Sequence, residues 1–317
     1  MLYNIAIADM ALGDEIEGFY VLSAAQQRTT NAGKPYFTGT LSDRSGSVEL
    51  VVWDFAGGVA PEDNGKVVKV RGKVSEYKGS RQFAAQRFRL ADEKDRYDLE
   101  ELVPTAPIDR EAELKEIEAL IASMVDPDYR RMAEEMLRRH RERFVSIPAA
   151  KSVHHGFVGG LLMHTGSMLR TADFLAGQYA EVINRDLLLC GTLLHDLAKE
   201  REFDFSPLGL AVDYSLEGQL LGHLVMGARE AAALAEELGL PREKAVLLQH
   251  LILSHHGEPE FGAAVRPMCA EAELLHLIDM IDSRMEIYAE TFENLSPGSF
   301  SGRIFALDKK IYRPEES

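Results

Sequence analysis

The hydrophobic period of this sequence changes once, near residue 100, and that change divides the chain between two kinds of structure. Before it, "EGFYVLSAAQQRTT", "PYFTGTLSDRSGSVELVVWD" and "KVVKVRGKVSEYKGSRQFAAQRFRL" alternate apolar and polar residues and are rich in Val, Phe, Tyr and Thr, the signature of strands whose two faces differ. Turn signals at "NAGKP", "DRSGS", "EDNGK" and "YKGS" cut this part into about five short strands, which suits a small closed barrel. From about residue 109 onward, apolar residues recur at three- and four-residue spacing through seven segments, from "DREAELKEIEALIASMV" to "CAEAELLHLIDMIDSRMEIYAETF". That period predicts an all-α domain. The expected organisation is a β-barrel over 1–92, a charged, two-proline linker over 93–108, a helical domain over 109–305 and a polar tail over 306–317.

Charge distribution matters more than its sum. The net charge is −16, yet residues 1–92 hold 11 Lys and Arg against 11 Asp and Glu, so the excess acid lies entirely in the later part. Residues 66–89 alone carry eight basic residues and one acidic residue, Glu76. Such a stripe is either a solvated strand face or a phosphate-binding track. No run reaches the roughly 18 apolar residues that would span a bilayer. With two cysteines and no basic, apolar leader at the N-terminus, a cytoplasmic protein is expected.

Nine of the ten histidines fall between residues 154 and 276. Several interrupt apolar helical runs, where an unpartnered ring is costly. His195 and Asp196, in "GTLLHDLAKE", would be about 100° apart around one helix. They can share a metal only if other helices supply ligands. His164 in "LLMHT" and Asp279 in "LLHLIDMIDSRM" are polar residues of that kind on two further helices. Imidazole and carboxylate together suit Mn, Fe, Co, Ni or Zn and do not select among them.

The ordered motifs "LLMHT", "LLHDLAK", "GHLVMG", "LSHHG" and "LIDMIDS" resemble those of the HD-domain metal-dependent phosphohydrolases over roughly residues 150–290. The resemblance implies His164, His195, Asp196 and Asp279 as core ligands, with His223, His255 and His256 as the extra histidines of binuclear members and Asp196 bridging two divalent ions, Mn²⁺ favoured. Asp282, three residues after Asp279, is the competing carboxylate, and is otherwise an outer partner. The β part, above all "GKPYFTGTLSDRSGSVELVVWD", resembles an OB-fold. Together the two parts resemble the YhaM family of 3′→5′ exoribonucleases, which implies a metal-dependent hydrolase of single-stranded RNA or ssDNA.

Under that resemblance Tyr36, Phe37, Trp53, Tyr77 and Phe83 are candidate base-stacking residues, with Tyr77 and Phe83 expected to be exposed, and Lys73, Lys78, Arg81 and Arg87 are candidate phosphate contacts. Lys199 is placed to reach a phosphate oxygen or to answer the helix dipole. His154 and His155 are candidates to bind phosphate or protonate the leaving oxygen. His250 and His276 suit packing or outer hydrogen bonds. A neutral barrel binds RNA weakly, for which a homo-oligomer would compensate through linked sites. Two other functions compete with this reading: hydrolysis of small nucleotides with a regulatory barrel, and a binding module with a structural metal.

Overall fold

The alternating segments form six strands: β1 Leu2–Tyr3, β2 Glu15–Thr29, β3 Pro35–Asp43, β4 Gly46–Trp53, β5 Val67–Tyr77 and β6 Ser80–Leu90. The computed structural model describes residues 1–315 apart from 31–32, 78–79, 104, 150–156, 207 and 294. Contacts divide the chain into two units, Met1–Thr105 with Phe205–Val212, and Ala106–Asp204 with Asp213–Ser317. In the first unit the strand order is β1-β2-β3-β4-β6-β5, and β2 also pairs with β5, which closes the sheet. The pairing of β4 with β6 is parallel, whereas β2–β3, β3–β4, β2–β5 and β5–β6 are antiparallel. Closure satisfies the strand edges that an open sheet would expose.

Two irregularities bend the sheet into a barrel. Register slips in β2 between Ser23 and Gln26, and in β5–β6 at Arg71/Gly72, as β-bulges do at barrel corners. Gly72 is required there, because a Cβ would sit 2.2 Å from the Ala84 carbonyl oxygen. Inward residues Ile16, Leu22, Phe37, Leu41, Leu50, Val68, Val70 and Phe83 make the core.

Phe83 and Phe37 therefore correct the expectation that they stack on bases. Phe83 is 0% exposed and sits opposite the buried Leu50 and Val74. The parity of β6 turns it inward. The stretch after the barrel is also more ordered than a linker. Tyr97 packs on Phe19 at 5.0 Å between ring centroids, and α1 (Leu99–Leu102) leads into the buried Val103.

The second unit contains α2 (Arg110–Ala122), α3 (Pro127–Phe144), α4 (Gly160–Gln178), α5 (Arg185–Leu194) and α6 (Lys199–Glu202). They are followed by α7 (Leu216–Leu220), α8 (Gly222–Leu238), α9 (Arg242–Ser254) and α10 (Ala270–Glu293). Asp109, Asp126 and Asn184 cap α2, α3 and α5 by accepting amide hydrogens of the first turn, as short polar side chains do. Leu162 and Leu169 of α4, Leu188 and Leu193 of α5, Leu248 and Leu251 of α9, and Leu275 of α10 are fully buried. A short hairpin, β7 (Phe203–Phe205) with β8 (Ala211–Tyr214), interrupts the helices and was not anticipated.

The segment read as a polar tail is structured as far as Arg313. Strand β10 (Tyr312–Arg313) pairs with β9 (Ser299–Phe300), Ile311 is 3% exposed, and the Arg313 guanidinium donates to the Leu295 carbonyl at 2.9 Å.

His140, the histidine outside the main cluster, joins α3 to α6 and α8. Its Nε2 bonds Glu230 Oε1 at 2.8 Å, and Glu200 Oε1 lies 2.9 Å from Nδ1, without the alignment of a hydrogen bond. Burial alone would depress this imidazole, but the two carboxylates outweigh it and raise the pKa to about 9. Because the folded value exceeds the unfolded one of about 6.5, the stabilisation is complete below pH 6.5 and is lost as pH rises through 9. Its upper bound is about 3 kcal/mol. Thermal melts of the wild type between pH 6 and 10 should therefore fall more steeply than those of His140→Phe. Parallel curves would contradict the assignment.

Candidate metal centre and nucleic-acid face

Helix α5 stops one residue before His195, so His195 and Asp196 are not in a helix interior as their sequence suggested. The His195 amide still donates to Gly191 O at 3.0 Å, but Lys199 N bonds Asp196 O, three residues back. The local cause is the His195 ring, whose Nδ1–H donates to Thr192 O at 2.7 Å. That carbonyl is the acceptor the next amide of a continuing helix would need. The same arrangement recurs at the end of α9, where His255 follows Ser254 and its Nδ1–H donates to Ile252 O at 2.8 Å.

Two carboxylates fix the rings of His223 and His164 in the same way. His223 Nδ1 lies 2.9 Å from Glu202 Oε1, and His164 Nδ1 lies 2.7 Å from Asp282 Oδ2. With all four Nδ1 atoms engaged by oxygen acceptors, the proton is held on Nδ1. In a neutral ring Nε2 is then the nitrogen left to bind a cation. At His195 burial lowers the pKa, but the Asp196 carboxylate outweighs it and raises it, so a cation binding there would displace a proton.

Those four Nε2 atoms converge on Asp196. Oδ2 lies 3.2 Å from His195 and 3.8 Å from His164, while Oδ1 lies 3.3 Å from His223 and 3.7 Å from His255. Asp279 Oδ1 approaches His164 Nε2 at 3.4 Å. Candidate ligand atoms of His164, His195 and Asp196 lie within 4.8 Å of one another, as do those of His223, His255 and His256. His195 Nε2, His223 Nε2, His255 Nε2, His256 Nδ1 and Asp196 Oδ1 are buried without a hydrogen-bond partner among the described residues. Burying five such atoms costs free energy unless something satisfies them. Divalent cations fit this donor set.

The electrostatics suit ligation. Burial depresses His255 well below the usual histidine range and His256 to about 4, so both are neutral near pH 7. Burial would raise the Asp196 carboxyl, but His195 and Lys199 beside it hold it well below the usual carboxylate range. Lys199 Nζ donates to Asp196 Oδ2 at 2.7 Å, and that contact outweighs burial to keep it an ammonium. An open cleft of about 330 Å³ gives access to the cluster and is lined by His164, Asp196, Lys199, His256, Asp279 and Arg284, among others.

Glu202 was missed from the sequence, whereas Asp282 was offered there both as Asp279's competitor and as an outer partner, and its contact with His164 Nδ1 supports the second. In the structure both orient ligand rings. His276 donates through Nδ1 to the His255 carbonyl at 2.9 Å, and His250 Nε2 accepts the Met268 amide hydrogen at 2.9 Å. Gly257 follows the paired histidines with φ +78°, and a Cβ there would lie 2.4 Å from the His276 ring. The HHG triplet thus needs its glycine for both backbone angle and space. His154 and His155 lie outside the described residues, as does Lys78.

On the barrel, Tyr36 stacks on Trp53 at 5.2 Å between centroids. Trp53 and Tyr77 are 57% and 56% exposed, and all three line one groove together with Arg28 and Gln82. Lys73 and Arg87 are exposed on β5 and β6. Arg81 has a structural tie, since its guanidinium donates to the Met10 carbonyl at 2.7 Å.

Residues 161–284 match the HD domain family, and residues 22–91 match the OB-fold nucleic acid binding domain family. The chain is 36% identical over 314 residues to the 3'-5' exoribonuclease YhaM of Geobacillus sp. (strain WCH70), covering 97% of this chain and 94% of the relative. It is 35% identical over 313 residues to the 3'-5' exoribonuclease YhaM of Oceanobacillus iheyensis, covering 97% and 96%. Among the described residues, no helix is long and apolar enough to cross a membrane.

Proposed function

The chain belongs to the YhaM family of 3′-5′ exoribonucleases, and from that premise we propose that it shortens single-stranded RNA from the 3′ end by metal-dependent phosphodiester hydrolysis. The observation that carries this reading is the convergence of four histidine Nε2 atoms on the two oxygens of one buried carboxylate, Asp196. His164, His195, Asp196 and Asp279 would hold one ion, and Asp196, His223, His255 and His256 a second, with Mn²⁺ the favoured metal. Two such ions supply Lewis acidity toward the phosphate and a water acidified enough to attack at neutral pH.

The chain's own groups do the rest. Glu202, Asp282 and the carbonyls of Thr192 and Ile252 hold protons on Nδ1, which keeps the donor atoms aimed before any substrate arrives. Lys199 stays cationic and lines the cleft. Once the Asp196 oxygen is otherwise engaged, its ammonium is available to a substrate phosphate. Arg284 adds a second cation at the same cleft. The barrel retains the polyanion through the Tyr36, Trp53 and Tyr77 groove by base stacking, offsetting the repulsion expected from an acidic catalytic domain.

The test is digestion of 5′-labelled single-stranded RNA with Mn²⁺, with an EDTA control and a parallel panel of free nucleotides. A metal-dependent ladder descending from full length is expected. Intact RNA with hydrolysed nucleotide would replace the proposal with small-molecule hydrolysis.

A further inference from the structure

The outer face of β5 and β6 sets cations directly opposite one another in two successive places. Lys69 pairs with Arg89 across the strands, and Arg71 with Arg87. Like charges in direct cross-strand register destabilise a sheet, so each pair calls for a compensating anion. Among the described residues only the first pair has an anion in ion-pair contact: Glu17, which β2 sets opposite Arg71 in register, turns its carboxylate to Lys69 instead. Asp95 Oδ2 lies 2.6 Å from Arg89 Nη1, and Asp95 Oδ1 lies 3.9 Å from Lys69 Nζ. Glu17 adds a contact to Lys69 at 3.3 Å, and Asp92 one to Arg89 at 3.5 Å.

Arg71 and Arg87 have no ion-pair or hydrogen-bond partner among the described residues. Both line an open groove of about 570 Å³, together with Trp53, Gln86 and the 54–57 segment. The acids of this groove are already engaged, Glu17 by Lys69 and Asp54 by Lys34 at 3.3 Å. Trp53 belongs to this groove and also to the one it shares with Tyr36 and Tyr77, so the two grooves adjoin at the indole.

We infer that Arg71 and Arg87 form a phosphate clamp for single-stranded RNA, a second anchoring site on the barrel that continues the aromatic groove past Trp53. It rests on the reading that this chain binds RNA. Two planar guanidiniums offer ten N–H donors to the oxygens of a phosphodiester, and a phosphate between them provides the anion that Asp95 provides for the neighbouring pair. Stacking on Tyr36 and Trp53 is indifferent to base identity. A clamp on the backbone adds affinity without adding sequence preference.

The test measures binding of a fluorescein-labelled 12-nucleotide oligo(U) to the full-length chain by anisotropy, in EDTA and across KCl concentrations. Arg71→Gln/Arg87→Gln should weaken binding about tenfold and lower the slope of log K against log[salt] by about 0.7, the value for one phosphate contact on a single strand. Its melting temperature without RNA should stay level or rise as the repulsion is relieved. Arg87→Gln alone, at an exposed position, should shift the slope in the same direction and serves if the double variant fails to fold. Wild-type affinity and slope in these variants, with wild-type RNA still bound and digested, would overturn the clamp alone. A wild-type chain that neither binds nor digests RNA would overturn the exoribonuclease reading and the clamp with it.

Discussion

Asp196→Ala is expected to lower metal-dependent RNA hydrolysis on the order of 10³-fold or more. Metal ions contribute several kcal/mol of charge stabilisation to such a reaction, and each 1.36 kcal/mol is a factor of about ten in rate. The size follows from the position of the carboxylate. Oδ2 faces His195 and His164 while Oδ1 faces His223 and His255, so its loss takes a donor from both histidine groups at once. Bound metal, measured by plasma mass spectrometry after gel filtration, should fall together with activity. The metal-free variant should also melt lower. Lys199, half-buried at the cleft, would lose the charged partner it holds at 2.7 Å. Full activity or full metal content would refute the shared-ligand assignment.

The features legible in the sequence were those with a period or a spacing. The switch from period two to helical spacing located the barrel and the bundle, and the order of the histidine motifs located the cluster. What stayed hidden depends on neighbours distant in sequence or on backbone groups. Alternation along β6 shows that Phe83 and its neighbours face opposite sides, but only the register against Leu50 and Val74 says that Phe83 is inside. The end of α5 at Leu194 has no composition signal, because its cause is a side chain taking the Thr192 carbonyl. Glu202 is silent for another reason: its partner His223 lies 21 residues on, across a hairpin. The tail was misread because a mean polar composition masks one buried side chain, Ile311, and one strand pairing.

Asp279 and Asp282 stand one helical turn apart on α10, and spacing alone could not divide their roles. Their contacts differ in which ring nitrogen they meet. Asp282 takes Nδ1 of His164 at 2.7 Å, whereas Asp279 approaches Nε2, the nitrogen turned toward Asp196, at 3.4 Å. A carboxylate on Nδ1 cannot share an ion with Nε2 of that ring, since the two nitrogens point away from each other. It can only hold the ring and raise its basicity. Asp279→Ala should therefore remove a ligand and reduce activity to near that of Asp196→Ala. Asp282→Ala should keep the site intact but weaken metal affinity by about 10–100-fold. Its activity should return when Mn²⁺ is raised by the same factor, as a titration of rate against free metal would display. If added metal restored Asp279→Ala and left Asp282→Ala inactive, the two roles would have to be exchanged.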